Sequence, residues 1–335
     1  MATIKDIAKE AGVSVTTVSN VIHNTKSRAS KETVERIRAI IKKYHYVPNM
    51  SARALVSKNS KIIGVLTYAE KKDIHFIPED PFLGILIRSM EMNLTIRGYF
   101  TMVQTVSTQD ELLALRDNWN FAGIIVHGLF EGRIFNQLTQ DDIPCVLIDS
   151  YIQNDRFYTV GVNDFEGGRM ATAYLASKGH KNIAFVSPTI FETGVVYERF
   201  MGYKAALEEA GVAFSQKNVY QVSTLDVGFA LGQKIAECND ITAIFATADL
   251  LALGVIAGLQ SKGISVPDDK SVMGFDDLYG SPLFNPPLTT IRQSVREKGV
   301  KAVDTLIDVI EGKTVPRHIN LPLELIERGS VKTIN

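Results

Sequence analysis

Ile4, Ile7, Ala8 and Ala11 recur at i, i+3, i+4 and i+7, the spacing of one face of an α-helix. Thr3 precedes them and Asp6 follows three residues on, a pattern resembling a capping box. Gly12 ends the run, because glycine accepts the positive φ that closes a helix. After a tight turn Ser14 caps a second predicted helix. Val18, Val21 and Ile22 point inward on it, and Val15, Thr16, Thr17, Ser19 and Asn20 are left outside. Ser30 starts a third helix, with Val34, Ile37, Ile40, Ile41 and Tyr44 on the buried face. Arg36, Arg38, Lys42 and Lys43 are left to solvent or phosphate. Helix, glycine turn and helix at this spacing form a helix-turn-helix.

Beyond residue 60 the pattern changes to short β-branched runs separated by helical periods. Strands are predicted at Ile62–Leu66, Phe100–Gln104, Gly123–Val126 and Val146–Ile148, with helices near 84–97, 108–117 and 131–139. A second series follows at Ile183–Ser187, Val219–Val222, Ala243–Ala246 and Ser271–Gly274, with helices near 197–210, 226–237 and 250–262. Two βαβ series predict two parallel sheets covered by helices. The chain is expected to return to the first lobe around Thr289-Thr290-Ile291, with residues 294–311 completing it as a helix. Two such lobes face each other across a cleft, and open parallel sheets bind ligands at the carboxyl ends of their strands.

Charge separates the two parts. The whole chain of 335 residues has a net charge of −1. Residues 1–61 hold 12 Lys+Arg against 4 Asp+Glu, so the front is +8 and the remainder −9. A basic front on an acidic body either meets a polyanion or forms a solvated basic face. No run approaches the roughly 18 apolar residues of a membrane span. The start, Met1-Ala2-Thr3-Ile4-Lys5-Asp6, has no apolar signal core, which predicts the cytoplasm. Cys145 and Cys238 are the two cysteines, with no CxxC pair, so structural thiols are expected and no metal site.

The head's outward residues suit DNA. Short side chains at the start of the second helix let its backbone enter the major groove. There Val15 and Thr16 pack on thymine methyls or bond base edges, and Asn20 can pair with adenine. Ser14, Thr17, Ser19 and nearby backbone N–H groups, with Thr3, can hold phosphates. A small helical bundle with a polar surface is the structural alternative.

Asp6-Ile7-Ala8-x-x-Ala11-Gly12-Val13-Ser14-x-x-Thr17-Val18-Ser19 closely resembles the head of the lactose/galactose repressor family. Tyr46-Val47-Pro48-Asn49 and Ala52-Arg53-Ala54-Leu55 resemble that family's hinge. The resemblance implies that Val15, Thr16 and Asn20 read bases; many members carry arginine where Asn20 stands. It also implies that Asn49 to Ser57, too short for a stable isolated helix, folds as a paired hinge helix on DNA. Leu55 would then wedge a minor-groove step beside Ala52 and Arg53. The alternative is a linker with Leu55 packed on the head. The expected organisation is a helix-turn-helix domain at 1–47, a hinge helix at 48–59 and a periplasmic-binding-protein-like core at 60–335. Its lobes would span about 60–160 plus 292–318, and about 161–290 plus 319–330.

The resemblance further implies an effector pocket at the positions of His127, Asp149, Arg199, Asp276 and Gln293. Carboxylates and a guanidinium suit vicinal hydroxyls through paired hydrogen bonds. Tyr68, Phe82 or Phe275 could stack on a sugar face. Asp149 and Asp276 could instead be turn formers, His127 a structural histidine and Phe275 core, while Asp249 stands as a helix cap. The expected protein is a homodimeric repressor of carbohydrate genes on palindromic operator DNA, with a sugar effector. A nucleobase or nucleoside corepressor is the alternative. The leucine heptads of a tetrameriser are absent, and no cofactor or membrane is implied. G-x-S-x-G, H-E-x-x-H, G-x-G-x-x-G and phosphate-loop motifs are missing, which argues against an enzyme.

Overall fold

The computed structural model describes residues 2–22, 29–46, 60–69, 80–128, 143–152, 154–222 and 225–334. The chain divides into two compact units, Met1–Ser60 and Lys61–Asn335. The expected hinge residues Asn49, Ala52, Arg53 and Leu55, most of the loop after the first strand and the expected helix near 131–139 lie outside the described residues.

The first unit contains α1 (Ile4–Ala11), α2 (Val15–Ile22) and α3 (Lys31–Lys43). The Thr3 hydroxyl accepts from the Asp6 N–H, and the Asp6 carboxylate accepts from the Thr3 N–H at 2.8 Å, a complete capping box. Gly12 closes α1 at φ 65°. Ser14 Oγ accepts from the Thr17 N–H at 3.1 Å, and Ser30 Oγ from the Thr33 N–H at 3.2 Å. Ile7, Ala8, Ala11, Val18, Val21, Ile37 and Ile40 meet in one core, each fully buried isoleucine contributing about 1.5–3 kcal/mol.

One expectation changes here. Tyr44 is not part of the buried face: it is 40% exposed, and its hydroxyl donates to the Glu10 carboxylate. Lys43 stays exposed, as expected, and its ammonium also pairs with Glu10 at 2.7 Å. Both residues reach back from the end of α3 to α1, where an acidic side chain offers two oxygens.

The second unit has two six-stranded sheets. The first runs β11 (His318–Leu321), β5 (Tyr158–Val162), β4 (Cys145–Ile148), β3 (Gly123–His127), β1 (Ile62–Tyr68), β2 (Phe100–Val106), all parallel. Alternation along β1 sends Ile63 and Val65 to one face. They pack there on Leu83, Leu86, Met90 and Leu94 of α4 (Pro81–Ile96) and on Ala302, Val303 and Leu306 of α10 (Val295–Ile310). Ile62, Leu66 and Tyr68 go to the other face, with Leu112 of α5 (Gln109–Asn118).

The second sheet runs β12 (Leu323–Ile326), β10 (Thr289–Gln293), β9 (Ser271–Asp276), β8 (Ala243–Ala246), β6 (Ile183–Ser187), β7 (Val219–Gln221). It is parallel except for β12, which runs antiparallel to β10 with Thr290 opposite Ile326. Its helices are α6 (Asp164–Ser177), α7 (Val195–Glu209), α8 (Leu225–Ala236) and α9 (Asp249–Ser261).

The chain passes from one sheet to the other between Val162 and Asp164, after Gln293, and at Pro322. Thr289, Thr290 and Ile291 are therefore not the crossing itself. They are fully buried members of β10, laddered on both sides, and the crossing falls after Gln293. Helix α6 went unrecognised in the pattern because Gly167 and Gly168 interrupt it. Both glycines serve close packing. A Cβ on Gly168 would stand 2.1 Å from the Arg199 carbonyl oxygen, and one on Gly202 would stand 2.0 Å from that of Phe165. Helices α6 and α7 thus touch backbone to backbone.

Candidate nucleic-acid interface and effector cleft

On the head, Ser14, Val15 and Thr16 are exposed at the start of α2, with Thr17, Ser19 and Asn20 half-buried beside them. Val15 is 41% exposed, unusual for a β-branched apolar residue whose neighbour Val18 is fully buried. Arg36, Arg38 and Lys42 are exposed on α3. The hydroxyls of Ser14 and Thr17 bond each other at 2.9 Å, and the Thr3 hydroxyl bonds Asp6 at 2.8 Å. These groups cap and rigidify the helix starts.

In the core, six of the eight expected pocket residues stand at the edge where the strands end and the chain crosses. Tyr68 ends β1, His127 ends β3, Asp149 follows β4, Asp276 ends β9 and Gln293 ends β10, while Phe82 opens α4. Asp149, Asp276 and Asp277 have φ of 53°, 120° and 55°. Three non-glycine residues in that region mark stored strain at one edge of the core.

The side chains form two hydrogen-bonded groups that interact with each other through space. Asp149 Oδ1 accepts from the Lys298 ammonium at 2.6 Å, and Gln293 Oε1 accepts from the same group at 2.5 Å. Gln293 Nε2 donates to Asp276 Oδ1 at 2.6 Å. Arg199 Nε donates to Asp164 Oδ1 at 2.8 Å, and its Nη1 to the Thr247 carbonyl at 2.6 Å. The Tyr151 hydroxyl donates to Asp164 Oδ2 at 2.8 Å. His127 Nε2 lies 3.8 Å from Asp149 Oδ2, and its ring centroid is 5.9 Å from that of Phe82. His127 Nδ1 and Thr247 Oγ1 are buried without a hydrogen-bond partner.

One placement resolves an alternative left open by the sequence, and another corrects an expectation. Phe275 is fully buried, and the Arg199 guanidinium carbon lies 3.6 Å from its ring centroid, so the ring supports Arg199 from the core. Asp249 does not cap its helix. Its Oδ1 accepts from Thr290 Oγ1 at 2.6 Å and its Oδ2 from the Leu278 N–H at 2.9 Å and from the Ser281 hydroxyl. The paired contact to vicinal hydroxyls is also altered. One oxygen each of Asp149 and Asp276, and most of the Arg199 donors, are already engaged within the protein.

Burial shapes the charges. Burial pushes the Asp276 carboxyl up to about 8, with Arg199 opposing the rise. Burial likewise raises Asp249 to about 6 against its three hydrogen bonds, and raises Asp80. His127 is lowered by burial, Asp149 acting the other way. Burial works against the charge of Arg199, yet Asp164 and Asp276 together raise it.

Lys298, Asp164, Tyr151 and Thr247 were not legible as site residues. Only Lys298 left a signal: it interrupts the apolar stripe of Val295, Ala302 and Leu306 on α10.

A helix-turn-helix head followed by a two-lobed α/β core with polar strand ends defines a ligand-responsive DNA-binding regulator. Residues 3–49 match the family model for bacterial regulatory proteins of the lacI family, and residues 172–331 that for a periplasmic binding protein-like domain. The transcriptional repressor PurR of Histophilus somni is 34% identical over 100% of both chains. That of Pectobacterium atrosepticum is 34% identical over 99% of this chain and 97% of its own. The lac repressor dimer bound to operator and the anti-inducer ONPF superposes with a TM-score of 0.82 at 25% identity, covering 99% of both chains. The cellobiose complex of the transcriptional regulator CelR gives 0.73 at 26% identity, over 98% of this chain and 100% of that one.

The chain belongs to the lacI family of bacterial regulatory proteins. It is a DNA-binding transcriptional repressor under small-molecule control, and not an enzyme. Among the described residues no helix is long and apolar enough to cross a membrane.

Proposed function

We propose that the two heads of a homodimer read a palindromic operator, with Val15, Thr16 and Asn20 on base edges. Thr3, Ser14, Thr17 and Ser19 meet phosphates. The exposure of Val15 at the start of α2 carries this reading, because an apolar side chain there finds cover only on a partner such as a thymine methyl. Asn49, Ala52, Arg53 and Leu55 form the hinge contact, with Leu55 in the minor groove. Selection of binding sites from a random duplex pool tests the reading: an enriched palindrome is expected, and its absence removes operator recognition by these residues.

The effector is an uncharged sugar, and the protein represses carbohydrate genes. The supporting observation is the carboxylate excess at the strand ends. Asp80, Asp149 and Asp164 stand against Arg199 and Lys298, both cations are committed to internal bonds, and Asp276, pushed up to about 8 by burial, keeps its proton below that pH. Such a site favours ligands that donate hydrogen bonds and disfavours anions. Tyr68, Phe82 and His127 border it on the first lobe. A nucleobase corepressor is the second reading, favoured by the full-length likeness to repressors named PurR. Ribose, cellobiose, hypoxanthine, guanine and ribose 5-phosphate compared by thermal shift separate the two, since a ligand of the native state raises its melting temperature. A response to ribose 5-phosphate alone would remove the uncharged-ligand reading. The ligand's effect on operator affinity, typically about 1–3 kcal/mol, gives the sign of control.

A further inference from the structure

Lys298 lies one turn inside α10 and is completely buried. Its helix face is otherwise mostly apolar, with Val295, Ala302 and Leu306 beside the buried Thr305, so a charged group there is expensive to desolvate. Apolar side chains of similar volume in place of both Lys298 and Asp149 would generally leave such a core as stable or more so. The consequence of the lysine must therefore lie in what it touches. Its ammonium donates to Asp149 beyond β4 of the first sheet and to Gln293 at the end of β10 of the second. It also lies 5.4 Å from the Phe82 ring centroid.

Gln293 has two possible orientations of its amide. With its oxygen on an ammonium, which has only donors, the amide nitrogen is directed to Asp276. One cation therefore sets the hydrogen-bonding direction at strand ends of both lobes. The other groups around Asp149 are His127, 3.8 Å from Oδ2, and Asp164 and Arg199, which interact with it through space.

We propose that Lys298 is a positioning residue that sets effector specificity, by holding the Asp149 side chain in place and fixing the Gln293 amide so that both strand ends accept hydrogen bonds from the ligand. This deepens the effector-cleft reading and rests on it. Lys298 does not itself receive an anion, because its side chain is closed to solvent and two of its three donors are used inside the protein.

The full-length protein is compared with Lys298→Met, Asp149→Asn and the double variant, by melting from pH 5 to pH 8. Lys298→Met is expected to lower the core melting temperature by roughly 5–10 °C at pH 8, since it strands a buried carboxylate. The deficit should shrink at pH 5, where the stranded carboxylate takes up a proton, and largely vanish at both pH values in the double variant. A deficit that ignores both pH and Asp149→Asn, or no deficit, overturns the proposal. Should Lys298→Met fail to fold at pH 8 while the double variant folds, the same conclusion is supported; failure of both overturns it.

A second arm titrates ribose, hypoxanthine and ribose 5-phosphate into wild type and Lys298→Met by calorimetry. Affinity for a neutral probe should fall at least tenfold in the variant at pH 7. Equal affinity at pH 7 overturns the specificity role. Wild type that binds none of the probes removes the effector-class reading, and the melting arm then decides the role of Lys298 separately.

Discussion

Arg199 on α7 donates to Asp164 at the start of α6 at 2.8 Å, and both side chains are almost wholly buried, at 9% and 1% exposure. The pair holds together the two helices that already touch through Gly168 and Gly202. The Tyr151 hydroxyl, from the loop after β4, reaches the second oxygen of Asp164. Arg199 is therefore a structural cation as well as a proposed pocket residue.

Replacing Arg199 by alanine leaves Asp164 buried and uncompensated, and core stability should fall by about 3–5 kcal/mol. Adding Asp164→Asn should recover a large part of that loss. Urea unfolding of the two single variants and the double variant measures the coupling. Simple additivity would show that the pair contributes no mutual stabilisation.

Asp276 gives the core a pH dependence of defined sign. Its folded value, about 8, is raised above the ordinary 3.8 by burial. The stabilisation from its bound proton is complete below the unfolded value and is lost as pH rises through about 8. Between pH 5 and 8 the stability of Asp276→Asn relative to wild type should therefore improve by roughly 1 kcal/mol per pH unit. Denaturation series at four pH values suffice; parallel curves would mean that Asp276 is ionised throughout.

At the head, Asn20→Ala should weaken binding to the selected palindrome by about 1–3 kcal/mol while leaving random duplex binding nearly unchanged. Leu55→Ala should likewise cost specific binding more than non-specific binding. Fluorescence anisotropy on both duplexes at one fixed salt concentration reads the difference. Equal losses on the two DNAs would remove either residue from the readout.

Gly202→Ala should destabilise the core by about 1–3 kcal/mol or more, because its methyl group would meet the Phe165 carbonyl oxygen at 2.0 Å. Gly211 has φ 65°, and no atom lies within 4 Å of where a Cβ on it would stand, so it tests conformational strain without a clash. Gly211→Ala should then cost less than Gly202→Ala, as read by thermal melting. The reverse order would place the stress in the turn after α7 and not at the helix crossing.

The sequence by itself determined what depends on neighbours a few residues apart. The i, i+3, i+4 spacing from Ile4 to Ala11 and the caps at Thr3, Ser14 and Ser30 give the head helices. Alternating β-branched runs give most strands and hence the strand ends at His127, Asp149 and Asp276. The tertiary structure decided what depends on distant parts of the chain. Lys298 meets Asp149 across 149 positions, Arg199 meets Asp164 across 35, and β12 turns antiparallel because the chain crosses at Pro322 and returns along β10. Periodicity records which way a residue faces within its own element. Which charge lies opposite it is set by how the elements are stacked, and a buried charge is tolerated only where that stacking supplies a partner.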